Sequence, residues 1–221
     1  KNLVSYKNYA MAFASREVRR LLISQGFPVE NHPVVHPPLN SDILPSQSLQ
    51  DNRSLRIGFS GLLMQSKGVH VLLESLVQLK ELTIPFSLDI AGKAFSKEYE
   101  SLLIKYAKAN GIINQIKWHG FLETNELDKF YQNINILVFP SLHPESFGMV
   151  VAEAMSKGVV PISTGVGGAF EVITHGVDGF LTPAGDSISL TKKLEWCYLN
   201  ADKLKVIANR ARRTAMMRFT P

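Results

Sequence analysis

Residues 55–79 read Leu55-Arg56-Ile57-Gly58-Phe59-Ser60, then Gly61-Leu62-Leu63-Met64-Gln65-Ser66-Lys67-Gly68, then Val69-His70-Val71-Leu72-Leu73-Glu74-Ser75-Leu76-Val77-Gln78-Leu79. The first six are an apolar run of strand length. The last eleven set Val69, Leu72, Leu73, Leu76 and Leu79 at i, i+3, i+4 spacing, the stripe of a helix that buries one face. Strand, glycine-flanked loop and helix together open a βαβ unit. The same alternation continues through apolar, β-branched runs at 86–91, 115–120, 134–140, 159–164 and 180–181, with helical patterns between them. Strands apolar on both faces, each followed by a helix, imply a parallel sheet covered on both sides. About five such units in roughly 165 residues predict a doubly wound, Rossmann-like α/β domain.

In the usual strand order 3-2-1-4-5-6, strands one and four are neighbours, and ligands bind beyond their carboxyl ends. The loops that carry function are therefore 60–68 and 140–148. Upstream the pattern is less regular. A short helical pattern spans 15–25, and Pro28, Pro33, Pro37, Pro38 and Pro45 follow, so 37–54 reads as a loop or linker. No internal repeat or low-complexity tract is evident.

The chain has 221 residues, 45% hydrophobic and 19% charged, which excludes a disordered, collagen-like or disulfide-built protein. The single cysteine, Cys197, allows no internal disulfide and points to no oxidising compartment. No stretch approaches the roughly 18 apolar residues of a membrane span, and Lys1 to Tyr9 lacks a signal-peptide core. A cytoplasmic protein is the expectation. The net charge is +5, but its distribution matters more than its sum. Residues 51–200 hold 13 basic and 15 acidic side chains, whereas 201–221 hold 6 and 1. The region with the crevice is not basic.

In the first loop, Gly61 permits close backbone approach and the helix beyond favours anions at its start. Lys67 adds a full charge there; the alternative is a solvated lysine at a helix cap. Gly61 to Lys67 mimics a phosphate-binding Walker loop, but Ser66 stands where glycine is required and Gly68 replaces the Mg²⁺-holding hydroxyl. The glycines at 165, 167 and 168 follow the fifth strand rather than the first, which disfavours a nicotinamide dehydrogenase.

The second loop reads Pro140-Ser141-Leu142-His143-Pro144-Glu145-Ser146-Phe147-Gly148-Met149-Val150 and runs into Val151-Ala152-Glu153-Ala154-Met155. Ser146 is the expected N-cap, with free amides at Phe147, Gly148 and Met149 forming a second anion site. Two anion sites across one crevice suit a diphosphate. Glu153 lies in an otherwise apolar helix; ribose hydroxyls could satisfy it, or a nearby lysine could pair with it.

Glu145-Ser146-Phe147-Gly148 followed by Glu153-Ala154-Met155 resembles the E-x7-E signature of retaining glycosyltransferases of GT-B fold, most like glycosyltransferase family 4, also called group 1. Lys67-Gly68 with Leu72-Leu73, Ala91-Gly92-Lys93, Trp118-His119-Gly120-Phe121, Phe139-Pro140-Ser141, Gly167-Gly168-Ala169-Phe170-Glu171 and Gly176-Val177-Asp178-Gly179-Phe180-Leu181 fall in family order and spacing. The resemblance runs from about Leu55 to Arg218 and covers the family's C-terminal, donor-binding domain.

That resemblance implies two catalytic residues, Lys67 and Glu145. It implies a donor site of Gly61, Leu62, Lys67, Gly92, Lys93, Phe121, Leu122, Glu145, Ser146, Phe147, Gly148, Met149, Val150 and Glu153. Lys67 would contact the diphosphate, Phe147 to Met149 would offer amides, Glu145 would hold sugar hydroxyls and Glu153 the ribose. The base would lie near Phe121, Leu122 and Met149. A nucleotide-diphospho-sugar would be the co-substrate, with no metal and no other cofactor, and transfer to an acceptor hydroxyl would retain configuration. One departure stands out: Leu62 occupies the place of the family's arginine, which grips the diphosphate bidentately; Lys93 could substitute.

The family's acceptor site lies mainly in an N-terminal domain that residues 1–50 resemble only as its tail and linker, leaving 51–221 as the donor domain. The chain also stops at Pro221, before the family's closing helix. It thus resembles a piece of a longer enzyme whose partners are the sugar nucleotide and a saccharide or lipid-linked acceptor, and which alone would catalyse little transfer. Two alternatives remain: a non-catalytic sugar-nucleotide-binding module, and a GT-B-fold epimerase or phosphorylase.

Other features suggest less. The six histidines show no metal-ligand spacing, although His143 could touch substrate. Cys197 reads as core, and the aromatic residues as core rather than as stacking platforms for nucleic acid. Lys203, Lys205, Arg210, Arg212, Arg213 and Arg218 form a basic final helix, either a solvated face or a peripheral contact with the inner face of an anionic membrane.

Overall fold

A computed structural model describes residues 12–39 and 54–219. Most of the linker expected over 37–54, and the Lys1 to Tyr9 stretch, lie outside these. Six parallel strands, β1 (Leu55–Ser60), β2 (Phe86–Ala91), β3 (Ile116–Gly120), β4 (Ile136–Phe139), β5 (Val160–Ser163) and β6 (Phe180–Leu181), form one sheet. Its order is β3-β2-β1-β4-β5-β6, as the alternation predicts. Several strands are a residue or two shorter than their apolar runs, because ladder bonding stops where the chain turns toward the loops.

Both faces of the centre are dry. Ile57, Phe59, Leu88 and Ile136 lie under α2 (Val69–Glu81), α3 (Lys97–Ala109) and α7 (Ser187–Leu199) in the main core. On the opposite face, α4 (Thr124–Asn133) and α5 (Met149–Ser156) cover Ala91, Leu137 and Phe139. The last helix, α8 (Ala201–Phe219), begins against the main core at Leu204 and Ile207 and ends against α5 at Ala211, Ala215 and Phe219. Its inner stripe is apolar; Lys203, Lys205, Arg210, Arg213 and Arg218 are exposed. No helix among the described residues is long and apolar enough to cross a membrane.

The N-terminal segment docks on the flank of this domain. Ser15 caps α1 (Arg16–Ser24) by accepting from the Val18 amide, and the Glu17 amide donates to Glu171 on α6 (Ala169–Val172). The chain then returns along Val34 and Val35, where the His36 ring lies 5.0 Å from Phe147 and 6.0 Å from Phe219. This segment therefore braces the loop that precedes α5.

Cys197 is buried in α7, and that burial pushes its thiol up to about 12. The native protein should leave a thiol reagent such as DTNB unreacted at pH 8 and titrate as one thiol only after unfolding. Rapid native reaction would show that α7 does not pack as described.

Candidate functional site

β1 and β4 pair through Ile57–Ile136 and Gly58–Leu137, and the chain leaves them toward opposite sides of the sheet. Their following loops meet at the crevice. Gly68 is in the left-handed region, φ 70°, and a Cβ built there would sit 2.0 Å from the Pro140 carbonyl oxygen. Only glycine permits that approach. Across the same seam the Leu142 amide donates to the Ser66 carbonyl at 2.7 Å.

This contact places Lys67 against Glu145. Lys67 Nζ donates to both carboxylate oxygens, at 2.7 and 2.8 Å, and the Ser141 hydroxyl donates to Oε1 at 2.5 Å. Lys67 is therefore not a solvated cap lysine; the two expected catalytic residues are each other's partners. Ser141 is held in turn by Thr164, whose hydroxyl donates to the Ser141 carbonyl at 2.6 Å. Behind Glu145, its amide donates to Val166 and its carbonyl accepts from Gly168 at 2.6 Å. A Cβ at Gly167 would lie 2.5 Å from the Glu145 backbone. The glycines at 165–168, set aside above because they follow the fifth strand, thus let that loop close under Glu145.

The start of α5 corrects one expectation. Its N-cap is Gly148 in the left-handed region (φ 90°), not Ser146, which is exposed and makes no side-chain cap. The chain needs a left-handed residue to turn into the helix, and Phe147 is drawn inward by His36 and Phe219. The helix opens two residues later than a Ser146 cap would set it. Among the described residues no backbone acceptor meets the amides of Phe147, Gly148 and Met149, the donors expected there.

Glu153 sits one turn into α5, half-buried. Burial raises its pKa, partly offset by a hydrogen bond from the Tyr131 phenol at 3.0 Å. The nearby lysine of the alternative is Lys157, which pairs with Asp128 on α4 at 2.8 Å and whose charge also lowers the Glu153 pKa. Nothing in the sequence singled out Tyr131; it follows Phe130 and reads as ordinary core.

Gly61, Leu62, Gly92, Lys93, Phe121 and Leu122 come together as expected, lining a pocket of about 300 Å³ with Ser60, Ala91 and Leu127. Gly92 is essential to its shape, since a Cβ there would fall 1.8 Å from the Gly61 carbonyl oxygen. Leu62 and Phe121 are exposed on its rim. A larger hollow of about 730 Å³ lies on the other side of the first loop, between Leu63–Ser66 and the start of α3. It holds His143 and none of the expected donor contacts. Among the described residues no cluster of histidine, cysteine or carboxylate side chains could hold a metal ion.

Residues 40–214 match the family described as glycosyl transferases group 1. The chain belongs to this family. A capsular polysaccharide biosynthesis glycosyltransferase, CapM of Staphylococcus aureus, is 27% identical over 76% of the chain and 43% of its own length. Anabaena HepE, solved with UDP and glucose, superposes with a TM-score of 0.84 at 25% identity, over 95% of the chain and 59% of HepE. The C-terminal domain of the group 1 protein LpcC of Francisella tularensis gives 0.69 at 25% identity, over 75% and 86%. The chain spans less than half the length of the curated group 1 relatives it matches.

Burial makes Glu153 hold its proton more tightly in the folded state than the ordinary glutamate value of 4.5. Stability is therefore lost as pH rises from the ordinary value through that raised midpoint. Glu153→Gln should raise the melting temperature at pH 7.5 and give little gain at pH 4, read on a scale where about 1 kcal/mol is roughly 2–4 °C. An equal or lower melting temperature at pH 7.5 would contradict this account of the carboxylate.

Proposed function

We propose that residues 51–221 are the donor-binding half of a retaining glycosyltransferase, with residues 1–50 the end of an acceptor half and its linker. The observation that carries this reading is the convergence of three features at one strand switch point. These are the Lys67–Glu145 pair, the open amides at the start of α5 with Glu153 one turn along it, and the pocket lined by Gly61, Gly92, Phe121 and Leu122. HepE has been solved with UDP-glucose bound, and CapM and LpcC carry glycosyltransferase names, which favours a transferase over a non-catalytic module.

In this reading the base enters the pocket at Gly92, Phe121 and Leu122, and the ribose hydroxyls donate to Glu153. The diphosphate takes Lys67 and the amides of Phe147, Gly148 and Met149. Charge that develops on the departing diphosphate is stabilised by a fixed ammonium and fixed dipoles, the largest catalytic contribution available to this half. Glu145 accepts from the sugar hydroxyls. The acceptor is a saccharide or lipid-linked hydroxyl presented by the other half, so transfer belongs to the longer protein. The donor's own charge is matched by the protein, and the reaction takes no metal and no further cofactor. The exposed basic face of α8 suits peripheral contact with an anionic membrane on the cytoplasmic side.

Since Lys67 is bound to Glu145, a diphosphate must compete with that carboxylate. Calorimetric titration with UDP, GDP and ADP should find binding by at least one. Lys67→Ala and Glu153→Gln should each weaken it by about tenfold to a hundredfold, the scale of one charged hydrogen bond. Glu145→Gln should instead tighten the bare nucleoside diphosphate while weakening the sugar nucleotide relative to it. Affinities unchanged in all three variants would overturn the site.

A further inference from the structure

We infer that Tyr131 is a positioning residue for Glu153, its buried phenol holding one carboxylate oxygen in place. The task given to Glu153 rests on the donor reading above; the hydrogen bond does not.

One phenol joins two helices. Tyr131 on α4 is 2% exposed, and its hydroxyl donates to Glu153 Oε2 on α5 at 3.0 Å. Ser60, at the end of β1, is a polar neighbour of the phenol and lines the pocket beside Gly61 and Leu122. The ring belongs to an apolar cluster with Phe130, Ile134 and Leu137 and meets Phe130 edge to face. Phenylalanine would fill that volume equally well, so packing does not explain the hydroxyl.

The hydroxyl's purpose is electrostatic and directional. A carboxylate on a helix can swing among rotamers and turn toward water. Holding Oε2 from behind restricts that swing and leaves Oε1 as the acceptor for a ligand's hydroxyls. The other charged groups near Glu153 are Asp128 on α4 and Lys157 on α5. They pair with each other at 2.8 Å and act on Glu153 in opposite directions, while the phenol is its directed hydrogen-bond donor. Burial and the neighbouring carboxylate drive the phenol's acidity far down, which keeps its proton available to donate at every working pH.

The test uses wild type and Tyr131→Phe, each with and without Glu153→Gln. In the free protein, ¹³C-carboxyl NMR follows the titration of Glu153, its resonance identified by its loss in Glu153→Gln. Tyr131→Phe should move that midpoint to higher pH, because the donor favouring the charged form is gone. Calorimetry with UDP, GDP and ADP should show Tyr131→Phe weakening the bound nucleotide by about threefold to tenfold at pH 7.5. Its acid limb should shift upward, and the effect should be absent in the Glu153→Gln background. A Glu153 midpoint and a nucleotide affinity both unchanged in Tyr131→Phe would overturn the inference, whatever its melting temperature. Wild-type protein that binds none of the three nucleotides would overturn the donor reading, while a raised Glu153 midpoint would still support the hydrogen bond.

Discussion

The close approach of Gly68 to the Pro140 carbonyl is the constraint from which the site follows. A methyl group at Gly68 would lie 2.0 Å from that oxygen, so the two crevice loops touch backbone to backbone. The seam continues in the hydrogen bond from Leu142 to Ser66. Lys67, between Ser66 and Gly68, has little choice but to face the second loop. On the other side Gly167 and Gly168 admit the 144–147 backbone at a similar distance. Glu145 is clasped between two glycine-lined contacts, and its side chain is delivered to Lys67. The ion pair is thus a result of backbone packing rather than its cause. With both partners partly exposed, such a pair contributes only about 0–1 kcal/mol, too little to hold two loops together.

That ordering explains why much of the site was legible in the sequence. Strand runs and helical stripes fixed the sheet order, because strands buried on both faces have only one composition that works. The order brought loops 60–68 and 140–148 together, and their residues then declared themselves: a lysine beside a glycine, a carboxylate before a helix, glycines where backbones must meet. What was not legible has a common physical origin. Tyr131 touches Glu153 across α4 and α5, and a buried tyrosine among Phe130, Ile134 and Leu137 has the sequence signature of ordinary core. The cap at Ser146 failed because a left-handed Gly148 and an inward Phe147 outweigh a serine's preference; Phe147 packs on Phe219, more than seventy positions away, and Gly148 closes against Ala169. The net charge of +5 pointed nowhere, since the positive centre that matters is one lysine held by a carboxylate.

The partner chosen for Glu153 bears on what the site can do. A lysine in contact would neutralise the carboxylate and cover the oxygens a hydroxyl ligand needs. Here Lys157, the cap just past α5, pairs with Asp128. The phenol of Tyr131 donates a single hydrogen bond and leaves the negative charge in place. The carboxylate is therefore oriented but not quenched, at the cost of holding a charge in a half-buried setting that raises its pKa. A fold selected for stability alone would place a neutral or apolar side chain at position 153, where Val151, Ala152, Ala154 and Met155 are all buried. A carboxylate kept there, with one oxygen held by the Tyr131 phenol, suits a site where hydroxyl donors arrive from solution.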